Sequence, residues 1–484
     1  MPKSLDELIR NLAVLKIMGD MKVEISGISY HSQKVKPNFL FVAIDGSRTS
    51  GSKFIDEAVR KGAVAVATNQ PGVVNAGAAT LVQVENPKIF LAQVSNRFYN
   101  FPSQKVNLTG ITGTNGKTTT AYLAKAILDT AGKTSGLLGT IQYFDGENWI
   151  KAENTTPESL DIIRMLTKLV HKGIKYCILE VSSHGLELNR VFDLQFQIAV
   201  FTNFTQDHLD FHKTFESYKQ AKMKLFTGLD QNAIAVINED DPVSVEIAKL
   251  TKARIIHFSL KNHAEITAKI LNLSSKTTLV KLIVDGKETK INLRLIGSHN
   301  VYNLMAAAGI GFAYQIPLST IKEGVERLRM IPGRLEPVEN NKGLSVFVDY
   351  AHTPDALQNL IKTAREFSKK RVLLIFGCGG DRDQTKRRIM GEIATELADY
   401  VIITSDNPRN EDPNKIIDDI KTGIEKSNYE IIPDRYSAIK RIIFLAKTGD
   451  TVLIAGKGHE DYQIIGNEKK HFDDRLMAKR ILES

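Results

Sequence analysis

The sequence predicts an α/β protein of three domains: a small N-terminal α/β domain, a central phosphate-loop domain with a mostly parallel sheet, and a C-terminal Rossmann-like α/β domain. Three observations predict it. At 484 residues the chain is too long for one ordinary hydrophobic core. Short apolar runs alternate with helix-length segments over most of its length, the rhythm of strand–helix–strand units in parallel sheets. A glycine-rich turn ending in Gly116-Lys117-Thr118 follows one such run and opens a helix, as phosphate-binding loops do.

Residues 1–104 form the first expected domain. Val23–Tyr30 and Asn38–Ala43 read as strands, and Phe54–Lys61 as a helix leading into a strand at Ala63–Ala67. No catalytic constellation occurs there, so this domain is expected to bind rather than react. Residues 105–332 form the second, with strands at Val106–Thr112, Tyr176–Val181, Ile198–Asn203, Ala233–Asn238 and Ala253–Phe258. Ile266–Ile296 alternates in hydropathy around the turn Asp285-Gly286, which predicts an antiparallel excursion, and Val301–Tyr314 reads as a buried helix. Residues 333–484 form the third, with strands at Ser345–Asp349, Arg371–Phe376, Tyr400–Ser405 and Thr451–Ala455. No G-x-G-x-x-G fingerprint is present, so no dinucleotide is expected.

A hydrophobic content of 42% with 25% charged residues is that of a globular protein. No signal peptide and no membrane-length apolar run is read, and the two isolated thiols, Cys177 and Cys378, fit a reducing cytoplasm. A net charge of +9 invites a nucleic-acid reading, but the Lys and Arg residues are dispersed, which favours small anionic substrates.

The chemistry begins at Gly110–Thr119. Glycines let backbone N–H groups turn toward phosphate oxygens, Lys117 reaches the terminal phosphates, and Thr118 offers a hydroxyl to Mg²⁺. Strict spacing places a glycine at 111, where this chain has Ile111. A glycine turn without a ligand is the plainer reading, and the strand–helix context argues against it. Glu180 ends the next apolar strand, where α/β folds bind ligands, and a carboxylate there suits Mg²⁺. Asn203–His212 adds a dense polar run at another strand end. Any one of these residues alone is more often a loop cap; their convergence points to a site.

Taken in order, Thr112–Thr118, Glu180, His208, Asn300, Asn303, Arg334 and Asp349 resemble the signature of the Mur ligase family, whose members join an amino acid to a growing UDP-muramoyl peptide. The resemblance implies an ATP-dependent, ADP-forming acid–amino-acid ligase of peptidoglycan synthesis, using Mg²⁺. In such an enzyme ATP phosphorylates a carboxylate and an amine then displaces phosphate. It implies nucleotide contacts at Gly113, Thr114, Asn115, Gly116, Lys117, Thr118, Thr119, Asn300, Asn303, Arg334 and Asp349, with Asn300 holding adenine. It implies metal ligands at Thr118, Glu180, His208 and a carbamylated Lys222, and catalytic roles for Lys117, Glu180, His208 and Lys222. By local sequence alone, Lys219, Lys222 and Lys224 look like one solvated helix face.

The resemblance further favours members that add the third peptide residue. It implies that the N-terminal domain holds UDP, and that the UDP-muramoyl dipeptide meets Tyr30, Ser32, Ser47, Arg48, Thr49, Asn154, Thr155, Thr156, Ser182, Leu188 and Arg190. Leu188 stands where relatives carry Gln. Asp406-Asn407-Pro408-Arg409 resembles the pattern of the diaminopimelate-adding members, with Arg382, Gly456 and Glu460 as further contacts. An Arg fork binds a carboxylate that lysine lacks. As a plain sequence feature Asp-Asn-Pro-Arg is a turn before a helix. The expected partners are small molecules, not nucleic acid or membrane, and the expected state is a monomer. Rival readings are the same reaction with L-lysine, folylpolyglutamate synthetase, which lacks the N-terminal unit, and a phosphate-loop switch ATPase without an acceptor.

Overall fold

The computed structural model describes residues 2–46, 49–70 and 79–483. Three large sheets follow one another along the described residues, with two-stranded pairs at Lys3–Ser4/Glu24–Ile25 and Tyr462–Ile465/Glu468–His471. The first has five strands in the order Lys16–Met18, Thr80–Gln83, Ala63–Thr68, Phe39–Val42 and Gly27–Ser29, parallel except at the Lys16–Met18 edge. The expected strand Val23–Tyr30 is broken. Ser26 turns its hydroxyl and N–H to the Pro37 and Asn38 carbonyls, so Glu24–Ile25 pairs with Lys3–Ser4 while Gly27–Ser29 joins the sheet.

The second sheet has eleven strands. Ser135–Leu138, Tyr176–Glu180, Asn107–Thr112, Ile198–Phe201, Ile234–Asn238, Arg254–Ser259 and Ile266–Leu273 run parallel in that spatial order. Alternate residues bury on opposite faces: Ile198 and Val200 enter one core, Ala199 and Phe201 the other. The expected antiparallel excursion is present as Thr278–Val284 and Lys287–Leu293, turning at Asp285 and Gly286 with φ of 48° and 76°. At the opposite edge, the hairpin Gln142–Phe144 with Trp149–Lys151 was not foreseen. Its strands are three residues long and exposed or half-buried, too short to register as a hydrophobic period.

The third sheet orders Glu336–Pro337, Ser345–Asp349, Thr451–Ala455, Val372–Phe376, Tyr400–Ile403 and Tyr429–Ile431, with only the first strand antiparallel. Beneath its C-terminal edge lies an ion pair with both side chains fully buried. Arg435 donates to both oxygens of Asp474 at 2.7 and 2.8 Å, and its remaining N–H groups reach Ala455 O at 3.0 Å and Ser405 O at 3.4 Å. One guanidinium thus ties together the loops that leave two strands of the sheet.

Removing one partner of such a pair leaves an uncompensated buried charge. Asp474→Ala should destabilise the third domain by about 3–5 kcal/mol, read from its urea transition. Glu396→Ala, which breaks the exposed pair with Lys426 at 2.9 Å in the same domain, should leave that transition almost unmoved. Equal effects of the two substitutions contradict the account.

Candidate active site

Ile111 is a fully buried strand residue in the core, so the missing glycine is a strand position here and the loop spans Gly113–Gly116. Gly116 caps the Lys117–Thr130 helix with φ of 86°, and a Cβ there would run into Asn303 Oδ1. The loop thus sits against the Ser298–Ala313 helix. Lys117 Nζ donates to Gly113 O and Thr114 O, each at 2.8 Å. Burial holds its ammonium below the ordinary lysine range, opposed by Glu180 and Asp207. Asn115 donates to Asp355 Oδ2 at 2.5 Å, a bond from the loop to the third sheet's domain.

A cavity of about 320 Å³ opens over this loop. Lys117, Thr118 and Thr119 form one side, and Asn300, Asn303, Arg334 and Asp349 come from later in the chain, as expected. Asn300 and Asn303 are linked at 3.0 Å, and Asn300 donates to Ile296 O at 2.8 Å. Burial raises the Asp349 carboxyl, while Arg334 and the N–H groups of Leu335 and Ala351 oppose the shift. His299, absent from the sequence expectation, also lines the cavity, and burial lowers its imidazole to about 4.

Glu180 is fully buried at the floor. It accepts from Thr118 Oγ1 and Thr140 Oγ1 at 2.8 Å and from Thr140 N–H at 3.1 Å. His208 has a left-handed backbone with φ of 53°, and its Nε2 lies 3.4 Å from Asp207 Oδ2. Burial lowers its imidazole to about 4, so the ring is neutral and able to offer a lone pair. Among the described residues no three His, Cys, Asp or Glu side chains form a ready metal cage. One carboxylate, one hydroxyl and one neutral imidazole fit Mg²⁺, which keeps waters and phosphate oxygens among its ligands.

Lys222 overturns the solvated-face reading. Only 3% of it is exposed, and its Nζ donates to Gly113 O at 2.8 Å, whereas Lys219 and Lys224 pair with carboxylates at the surface. Burial and the neighbouring Lys117 push its ammonium well below the usual range.

A second cavity, of about 900 Å³, adjoins the first. Arg382, Asp406, Asn407, Arg409, Gly456 and Glu460 all line it, so the two strand ends do share one cleft. Arg409 Nη1 donates to Gly380 O at 2.7 Å, and a Cβ on Gly379 would stand 2.9 Å from it. Glycine there leaves room for Nη1 to approach the backbone. Asn407 donates to Glu460 Oε2 at 3.0 Å, and the fully buried Lys457 donates to the same oxygen at 3.3 Å. Pro408 is buried behind the wall. Tyr350, His352, Lys386 and Tyr462 also face this cavity and were missed. Tyr350 and His352 follow strand Ser345–Asp349, so the strand-end rule that selected Glu180 also selects them.

The residues expected at the UDP-substrate fall into two groups. Thr155 and Ser182 line the smaller cavity, and Thr155 and Thr140 share a hydrogen bond of 3.1 Å. Thr156 bonds Glu180 O at 2.8 Å and Ser182 Oγ at 3.0 Å, and Asn154 O accepts from Tyr143. Arg190 donates to Thr156 O at 2.9 Å and sits 3.5 Å from Glu158, its Nε without a hydrogen-bond partner. Leu188, half-buried, caps a short helix beside it. Tyr30, Ser32 and Thr49 lie on the first domain and line neither cavity; Tyr30 bonds Asp161, and Ser32 bonds Glu57 at 2.6 Å. Ser47 and Arg48 lie outside the described residues.

Comparison with known proteins agrees with this geometry. The patterns of the Mur ligase family catalytic domain, the Mur ligase middle domain and the Mur ligase glutamate ligase domain match residues 24–99, 111–311 and 333–458. The UDP-N-acetylmuramoyl-L-alanyl-D-glutamate--2,6-diaminopimelate ligase of Clostridium tetani is 43% identical over 485 residues, covering 99% of each chain. The chain belongs to the Mur ligase family. The ligase of the same name from Caldanaerobacter subterraneus subsp. tengcongensis is also 43% identical, over 96% of each chain. A solved structure bearing that ligase's name superposes with a TM-score of 0.70 at 31% identity, covering 100% of this chain and 99% of the other. The family expected from the sequence is therefore the family found, and the Mur ligase architecture accounts for three sheets in succession.

A buried ammonium without a carboxylate partner costs stability, and Gly113 O keeps Lys117 as a donor when Lys222 is replaced. Lys222→Met should therefore leave the thermal midpoint unchanged or raise it in carbonate-free buffer. Burial depresses this lysine in the folded state only, so the unfolded chain binds the extra proton. The cost therefore grows as pH falls, and the Met variant's margin should shrink as pH rises toward the ordinary lysine range near about pH 10. Calorimetry that finds a large loss of stability at neutral pH contradicts this reading of the site.

Proposed function

We propose that this protein joins meso-2,6-diaminopimelate to UDP-N-acetylmuramoyl-L-alanyl-D-glutamate, converting ATP to ADP and phosphate, in the synthesis of peptidoglycan precursors. The observation that carries it is the charge pattern of the larger cavity. Arg382 and Arg409 line it together with Glu460 and Asp406, groups that suit one carboxylate and one ammonium of the same amino acid, beside a phosphate-loop pocket. L-Lysine leaves the guanidinium pair without its anion.

The substrate carboxylate takes the γ-phosphoryl group and becomes an acyl phosphate, an electrophile that an amine can open. Two anions must approach for that step. Lys117, at the head of its helix, offsets their repulsion, and Asn300, Asn303, Arg334 and Asp349 surround the nucleotide. Mg²⁺, held by Thr118, Glu180 and His208, supplies further charge neutralisation when bound. Lys222, whose desolvation favours the free amine over the ammonium, takes up CO₂ with loss of a proton, and the resulting carbamate adds an oxygen ligand. Asn154, Thr155, Thr156, Ser182 and Arg190 lie on the route from the N-terminal domain to the reacting carboxylate, and Leu188 supplies an apolar wall. Tyr30, Ser32, Ser47, Arg48 and Thr49 hold the UDP end. The enzyme works in the cytoplasm on small molecules, as a monomer.

Equimolar diaminopimelate and L-lysine, with ATP and the UDP-dipeptide, test the choice of amino acid. Phosphate release should follow diaminopimelate, and Arg409→Ala should weaken diaminopimelate use by roughly tenfold or more while nucleotide affinity stays. Preference for L-lysine overturns the proposal. For Lys222, incubation with ¹³C-bicarbonate should give a carbamate carbon signal that is missing from Lys222→Met; its absence from active parent enzyme rejects the modification.

A further inference from the structure

The two cavities share a wall made by Asp207, His208, Tyr350, His352 and Thr353. In the reaction proposed above, on which this inference rests, the smaller cavity presents the acyl phosphate and the larger one presents the amine. The new C–N bond therefore forms along the shared wall. The amine arrives as an ammonium, whose nitrogen has no lone pair until a proton leaves, so a base is needed there.

The chemistry of the shared residues narrows the choice. Thr353 offers only a hydroxyl. Tyr350 is a phenol that burial pushes up to about 12, so it stays protonated. Asp207 is committed to His208: its Oδ1 accepts the His208 N–H at 2.7 Å and its Oδ2 lies 3.4 Å from the ring. His208 is the ring assigned above to a cation. His352 remains. Its Nδ1 lies 2.7 Å from Tyr350 O, and a carbonyl only accepts, so Nδ1 carries the hydrogen and the lone pair of the neutral ring is on Nε2. Around it, Lys386 donates to the His352 carbonyl at 2.9 Å, Arg334 stacks on the Tyr350 ring, and Asp207 stands on the facing domain. His352 is itself exposed, so its Nε2 can meet a group that enters the cleft.

We propose that His352 is the general base of amide formation. Its Nε2 takes one proton from the incoming ammonium, and the freed nitrogen lone pair forms the bond to the acyl carbon. The carbon–oxygen bond to the phosphoryl group breaks, and the nitrogen's second proton leaves with that oxygen as hydrogen phosphate. The imidazolium then returns its proton to water.

His352→Asn keeps a side-chain N–H able to reach the Tyr350 carbonyl and has no basic nitrogen. Two nucleophiles separate the possible roles. Hydroxylamine is uncharged at neutral pH, needs no base, and converts an acyl phosphate to a hydroxamate. With ATP and the UDP-dipeptide, the variant should form hydroxamate within a few-fold of the parent rate. With diaminopimelate it should lose about a hundredfold or more in turnover. Parental ligation of diaminopimelate by the variant overturns the assignment. So does parallel loss of both reactions, because that places His352 in the fold or in acyl-phosphate formation. A parent enzyme that makes hydroxamate but no amide from diaminopimelate overturns the proposed function, and this inference with it.

Discussion

Two lysine ammonium groups end on one carbonyl oxygen. Lys117 and Lys222 each reach Gly113 O at 2.8 Å, and both are desolvated in the fold. Positive charge held out of water beside another positive charge is costly unless anions arrive. The surrounding architecture supplies places for them: a loop of N–H groups at a helix start, a floor carboxylate tied to two hydroxyls, and a neutral imidazole nearby. Tyr218 packs against the second of these lysines. It is fully buried one helical turn before Lys222, bonds Thr114 at 3.1 Å, and places its ring 4.6 Å from the Lys222 ammonium.

Strand direction explains how residues from far apart in the chain meet. In the second sheet Glu180 ends the strand beside the one that leads into the phosphate loop, and in the third sheet Asp349 ends its strand while Gly377, Ser405 and Gly456 follow theirs. Each parallel sheet therefore sends its polar loops to one edge. The two cavities meet where those edges face, and that is why Asp207 and His208 from one domain stand with Tyr350 and His352 from the other.

Much of this was legible beforehand. Strands Ser345–Asp349 and Thr451–Ala455 have the bounds expected from sequence, because their apolar runs stop sharply at polar or glycine residues. The antiparallel excursion announced itself through alternation and Asp285-Gly286. The three-residue strands of the Gln142–Lys151 hairpin carry too few residues for any period to show. Lys222 was illegible for another reason. Its burial comes from packing of its helix against the phosphate loop, a contact 109 residues away in sequence, and the flanking surface lysines disguised it. The spacing of Tyr218 and Lys222 by four residues was the local sign that both share a buried face. The Arg435–Asp474 pair was equally hidden, because both residues look like ordinary helix charges until the fold removes water from them.

The Asp355 carboxylate has a consequence for the order of events. It accepts from Asn115 at 2.5 Å and from Thr205 at 3.2 Å, and so fastens the third domain to the phosphate loop. Any polyanion that enters the loop meets this carboxylate as a like charge. Occupying the loop and keeping the fastening shut are therefore antagonistic, and by thermodynamic reciprocity each weakens the other by the same factor. The third domain is thus tethered most firmly before the phosphates come in, and it is freest to adjust its position once they are there.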